Sequence, residues 1–164
     1  MAIKIFLTGG TIDKHYVDTK EAFDFAETHI NALLRQGRST VPTDIEQLML
    51  IDSTDMTDED RARILAACQN ESSDKIIIVH GTSTMTETGE ILGRADMSGK
   101  TIVLVGAEIP AELTHSDASF NLGAAVSAVQ LLNSGVYIVM NGQIFLWNNV
   151  EKDTEHYQFV RKSE

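Results

Sequence analysis

The chain has 164 residues, of which 43% are hydrophobic and 23% charged, the size and composition of one ordinary globular domain. Its net charge of −11, from 24 acidic and 13 basic side chains, argues against nucleic-acid and anionic-membrane partners, which are gripped through excess Lys and Arg. No apolar run approaches the roughly 20 residues of a membrane span, the first apolar run is too short for a secretory signal, and a single cysteine, Cys68, excludes an internal disulfide framework. A cytoplasmic protein is expected.

Apolar runs alternate with helical patterns along the chain. KIFLTG (4–9) predicts a buried strand that ends at Gly9 and Gly10. EAFDFAETHINALLRQG (21–37) sets Phe23, Ala26, Ile30, Leu33 and Leu34 at helical spacing, with Gly37 as the stop. IEQLMLID (45–52) is a second strand. TDEDRARILAACQ (57–69) is a helix, with Thr57 as N-cap and three acids in its first turn. Within it, Cys68 reads as a small apolar helix residue rather than a reactive thiol.

KIIIVHGTST (75–84) is a strand, MTETGEILGRAD (85–96) a helix and TIVLVGAEIP (101–110) a strand. SFNLGAAVSAVQLLNSG (119–135) is a helix stopped by Gly135, and VYIVMNG (136–142) is the last clear strand. The polar segment 143–164 suggests no element. Five apolar strands separated by helices predict an α/β domain, Rossmann-like or flavodoxin-like, with three layers and a mostly parallel sheet. Ligands of such sheets bind beyond the carboxyl ends of the strands. Thr11, Ser53, Thr82 and Asn141 all fall there.

TGGTI (8–12), DSTDM (52–56) and HGTSTM (80–85) place hydroxyls at the tops of successive strands, and NNVEKD (148–153) supplies a lysine. That set suits acyl transfer, in which a hydroxyl attacks while a base takes its proton. No Gly-x-Ser-x-Gly elbow, P-loop or Gly-x-Gly-x-x-Gly fingerprint occurs, and no His, Cys or carboxylate cluster has metal-ligand spacing. Taken singly, each feature has an ordinary structural explanation. A Gly-Gly pair is plain turn geometry, Ser53 and Thr54 are caps, and His80 is a satisfied histidine at a buried strand end.

In order and position together, these motifs resemble the L-asparaginase family of the bacterial type I/II kind. That family carries TGGTI near its N-terminus, a Ser-x-Asp-Met segment, HGTDTM, and a lysine after a VMN strand. Here they stand as TGGTI, STDM (53–56), HGTSTM, and VMN (139–141) leading to Lys152. VLVGAEIP (103–110) and SDASFNLGAAV (116–126) are similar to the family's next strand, loop and helix.

The resemblance implies that Thr11 is the nucleophile and that Tyr16, on the loop after the glycines, positions it. Thr82 and Lys152 form a hydroxyl–amine pair that moves protons and activates water; which threonine attacks first stays open. The lysine must accept a proton, which burial or a neighbouring positive charge favours. Ser53 and Thr54 hold the substrate's α-carboxylate, and backbone N–H groups near Thr82 receive the oxyanion. Ser83 stands where the family has an aspartate that binds the α-ammonium, so a weaker electrostatic grip is expected. No metal or organic cofactor is implied. The substrate is L-asparagine, with L-glutamine a possible poor one, since a methylene alters discrimination by only about 1–3 kcal/mol.

Family members continue past the lysine into a smaller C-terminal domain. The reading here is a single N-terminal-type domain over 1–164 without it, the starting methionine favouring a short form over a fragment. The face that domain would cover suggests a homo-oligomer, dimer or tetramer. The competing function is a catalytically inactive amino-acid-binding or regulatory domain, motivated by Ser83 and the missing domain. The joint presence of Thr11, Tyr16, Thr82 and Lys152 weighs against it.

Overall fold

The computed structural model describes residues 2–97 and 99–162. In chain order the elements are β1 (Ile3–Gly9), β2 (Lys14–Val17), β3 (Ala22–Phe25), α1 (Ile30–Gln36), β4 (Thr43–Ile51), α2 (Asp58–Asn70) and β5 (Lys75–Val79). There follow α3 (Met85–Arg94), β6 (Thr101–Val105), α4 (Ala118–Leu131), β7 (Gly135–Met140), β8 (Gln143–Leu146), β9 (Glu151–Asp153) and β10 (Gln158–Val160). Six strands form one sheet in the order β4-β1-β5-β6-β7-β8. The first five are parallel, and β8 turns back antiparallel on β7. The α/β fold with a mostly parallel sheet is therefore as expected.

The burial of β1, β5 and β6 explains their unbroken apolar sequences. A sheet covered on both faces leaves no solvent side for polar alternation, and every residue of β1 and β6 is buried. Helix α4 packs across β5, β6 and β7 with α1 beside it, while α3 packs on β7 and contacts α2. Burying each large aliphatic side chain contributes about 1.5–3 kcal/mol. The Thr8 hydroxyl donates to the Val79 carbonyl at 2.8 Å, tying the ends of β1 and β5 together. The chain leaves β1 toward β4 on one side and places β5 on the other, so the sheet reverses its winding between β1 and β5. That is where open α/β sheets leave a ligand crevice.

Several boundaries differ from the sequence reading: β5 and β6 end at Val79 and Val105, short of the expected 84 and 110, and two further differences change an element. The segment 21–37 is not one helix, because Ala22–Phe25 pair with Lys14–Val17 as a hairpin and the helix begins only at Ile30. The buried Asp13 carboxylate decides this. It accepts the His29 N–H at 2.9 Å and the Thr28 hydroxyl at 3.0 Å, so the donors at the helix start are satisfied from far back in the chain. Gly135 does not stop α4, which ends at Leu131; it opens β7 instead. Of the segment left unassigned from sequence, residues 143–162 carry β8 and the β9–β10 hairpin. Thr57 caps α2 as expected, in a reciprocal pair with Asp60. Cys68 is fully buried, and burial pushes its thiol up to about 12. Among the described residues, no helix is long and apolar enough to cross a membrane.

Candidate active site

Three strand-top loops meet through backbone that only glycine permits. Gly10 has φ 85° and ψ 173°, a conformation essentially closed to other residues. A Cβ at Gly10 would lie 2.4 Å from the Gly81 nitrogen, and one at Gly81 would lie 2.6 Å from Ser53 Oγ. The chains carrying Thr11, Thr82 and Ser53 therefore touch one residue before each threonine and at the serine itself. Thr11 then opens a single 3-10 turn, half-buried, and its hydroxyl makes no hydrogen bond among the described residues. The glycines thus make room for the close approach of the three loops.

The centre of the shelf is a chain of three groups. Lys152 Nζ donates to Thr82 Oγ1 at 2.8 Å. The same nitrogen lies 2.8 Å from Glu108 Oε1, an ion pair whose direction falls outside hydrogen-bond geometry. The lysine and glutamate side chains are 11% and 22% exposed, so water screens the pair only partly. Lys152 also lies over the Tyr157 ring, 5.9 Å from its centroid. Glu108 was not singled out from the sequence. Its role depends on the loop after β6 folding back toward a hairpin more than forty residues later, and no local pattern reports that. A charged residue in VLVGAEIP, directly after a buried strand, was the available signal.

A polar scaffold holds both partners of this pair. Asp117 accepts the backbone N–H groups of Glu108 and Ile109 at 3.0–3.1 Å. Asn121 donates to Asp117 and to the Gly106 carbonyl, and its Oδ1 receives the Asn141 N–H. Asn141, at φ 55°, then accepts the Phe159 N–H at 2.8 Å. Phe159 is buried and pairs across the hairpin with Lys152. Asn141 therefore sits past its strand end as expected, and its side chain braces the lysine's hairpin.

The remaining expected residues divide. Ser53 is 1% exposed and its Oγ has no partner among the described residues, a cost unless something else bonds it. Thr54 is exposed, and its hydroxyl bonds Asp52 at 3.1 Å. Asp52 is held below the ordinary carboxylate range: burial alone would raise it, but the Lys14 ammonium and the Thr54 N–H outweigh that. Ser83 is exposed and makes no side-chain hydrogen bond among the described residues. The Tyr16 ring packs edge-on against Phe23 at 5.6 Å and is 51% exposed; its hydroxyl bonds none of the described residues. His80 is structural, its ring nitrogens meeting the Gly81 carbonyl and the Thr88 hydroxyl, each at 2.8 Å. Burial lowers its pKa to about 4.

Residues 2–160 match the family described as Asparaginase, N-terminal. Over 159 residues the chain is 33% identical to the "Probable L-asparaginase periplasmic" of Haemophilus influenzae, covering 92% of this chain and 46% of that protein. It is 28% identical over 162 residues to the "Glutaminase-asparaginase" of Acinetobacter glutaminasificans, covering 92% and 49%. Among solved structures, the "Probable Cytoplasmic L-asparaginase" of Campylobacter jejuni superposes with a TM-score of 0.83 at 32% identity, covering 98% of this chain and 52% of that one. The chain thus spans about half the length of the curated relatives it matches. The names of these relatives include both compartments, so the similarity fixes neither.

Proposed function

For a chain that belongs to the asparaginase family through its N-terminal domain, we propose hydrolysis of the side-chain amide of L-asparagine to L-aspartate and ammonia, with L-glutamine a poorer substrate. The observation that carries this reading is the Thr82–Lys152–Glu108 chain at the sheet's carboxyl edge, beside the unengaged hydroxyl of Thr11. A sensor that only binds an amino acid has no use for a lysine aimed at a threonine hydroxyl.

In this proposal Thr11 Oγ attacks the amide carbon, the amide C–N bond breaks, and the hydroxyl proton leaves with ammonia. Water then cleaves the resulting ester: its proton moves to Thr82 Oγ1 as Thr82 passes its own to Lys152 and Lys152 cedes one to the paired Glu108 carboxylate, and the departing Thr11 Oγ takes a proton back. Backbone N–H groups at Gly81–Thr82 face the developing oxyanion. Ser53 Oγ, buried without a partner, is suited to the substrate's α-carboxylate, with Thr54 at the rim. Glu108 supplies the negative charge that the family motif carries at position 83, serving both the α-ammonium and Lys152. Tyr16 closes over Thr11 when the hairpin moves with substrate bound.

Ammonia release from L-asparagine, L-glutamine and their D-isomers tests the proposal, with Thr11→Ala alongside. Turnover of L-asparagine that falls about a thousandfold or more in the variant is expected. An intact chain that releases no ammonia from any amide refutes it, and activity that survives Thr11→Ala moves the attack to Thr82.

A further inference from the structure

The hairpin carrying Tyr16 is joined to the rest of the molecule by a cluster that the proposed reaction does not use. The His15 and His29 rings stack with centroids 3.9 Å apart and planes 24° apart. Glu112 reaches them from the loop after β6, its Oε2 3.6 Å from His15 Nδ1. Each of the three side chains offers one ligand atom, and the three atoms lie within 4.8 Å of one another.

The surrounding contacts leave those atoms available. His15 Nε2 is 2.6 Å from the Glu27 carbonyl, which can only accept, so Nε2 carries the proton and in the neutral ring Nδ1 presents its lone pair toward Glu112. His29 Nε2 is buried with no hydrogen-bond partner among the described residues. An imidazole that donates one N–H to a backbone carbonyl while its other nitrogen faces further donor atoms has the arrangement of a metal-binding histidine.

We infer that His15, His29 and Glu112 form a site for a divalent transition-metal ion of the zinc class, which pins the Lys14–Phe25 hairpin to the loop after β6. Two imidazoles, a carboxylate and a solvent molecule are a ligand set that zinc takes. At Zn–N and Zn–O lengths of about 2.0–2.1 Å, tetrahedral ligands sit about 3.3 Å apart, so the cluster closes by at most about 1.5 Å. An exposed carboxylate and a two-stranded hairpin can absorb that movement. Glu112 Oε1 already accepts the Tyr16 N–H at 2.7 Å, so an ion on the same carboxylate restrains residue 16 directly. No spacing in the chain signals the site, because position 112 meets 15 and 29 only after folding.

The test is a calorimetric titration of zinc chloride into the full chain after chelator treatment. One saturable equivalent is expected, weakened at least about tenfold in His29→Gln and in Glu112→Gln. Cobalt added in place of zinc should give the visible spectrum of an imidazole-bound ion, absent in both variants. Trypsin cleavage after the exposed Lys20 should slow with zinc in the parent chain and not in His29→Gln. Absence of one-equivalent binding overturns the inference. So does equal affinity in the parent and both variants, which would assign the ion to surface carboxylates of this acidic chain and leave the histidines as a packed pair of rings.

Discussion

Acidification should act on this fold through His80. The imidazole lies between the Gly81 carbonyl and the Thr88 hydroxyl with no path to water, and burial lowers its pKa from 6.5 to about 4. Below pH 6.5 the unfolded chain takes up a proton at this position that the folded chain refuses until about pH 4. The unfolded state binds more protons throughout that window, so the contribution of His80 to stability is complete above it and falls as pH drops through it. At about 1.4 kcal/mol per tenfold in proton affinity, the full loss is about 3 kcal/mol, or about 10 °C in melting temperature for a chain of this size. Urea denaturation at several pH values between 7 and 4, on the parent and on His80→Gln, measures it. Other titrating groups, such as the raised carboxyl of buried Asp13, act equally in both proteins, so the difference in slope isolates His80. Parallel stability–pH curves for the two proteins would refute the reasoning.

Glu108→Gln removes the charge 2.8 Å from Lys152 Nζ; an ion pair between the exposed and fully buried extremes is worth about 1–3 kcal/mol. The kcat/KM for L-asparagine should therefore fall about 10–100-fold, and adding Ser83→Asp should recover part of it; unchanged kcat/KM in the single variant would remove Glu108 from the site. Gly10→Ala forces a Cβ to 2.4 Å from the Gly81 nitrogen in a glycine-only conformation. A loss of more than about 2 kcal/mol in urea denaturation is expected, with activity at least tenfold lower; a fully stable and active variant would sink the packing argument.

What the sequence disclosed follows from the range of the forces involved. The strands were legible because a sheet buried on both faces demands apolar runs, and the start of α2 because Thr57 and Asp60 are three residues apart. Thr11, Ser53 and Thr82 could be placed at the sheet's carboxyl edge because each follows a glycine or a strand end. The hairpin at 14–25 was not, since Phe23 and Ala26 fit a helical stripe and the competing cap comes from Asp13. Gly135 failed as a stop because α4 had already ended at Leu131. Glu108 was invisible for a topological reason: only the Asp117–Asn121–Asn141 scaffold sets its loop and the lysine's hairpin face to face. Tyr16 is exposed on a hairpin held by Glu112, with its ring packed edge-on against Phe23.

The contact of Gly10, Gly81 and Ser53 divides the site into two kinds of position. A carboxylate acts through space, so any loop that comes within reach of the lysine can deliver it; here that loop follows β6. Atoms of the main chain at van der Waals distance admit one residue type and no relocation. Under the proposed reaction, changes that retune which amide is accepted are therefore open to position 108 and its exposed neighbours, where side-chain length and charge can be exchanged while Gly106 and Asp117 keep the loop in place. At the glycines, the same freedom would shift every hydroxyl on the shelf at once.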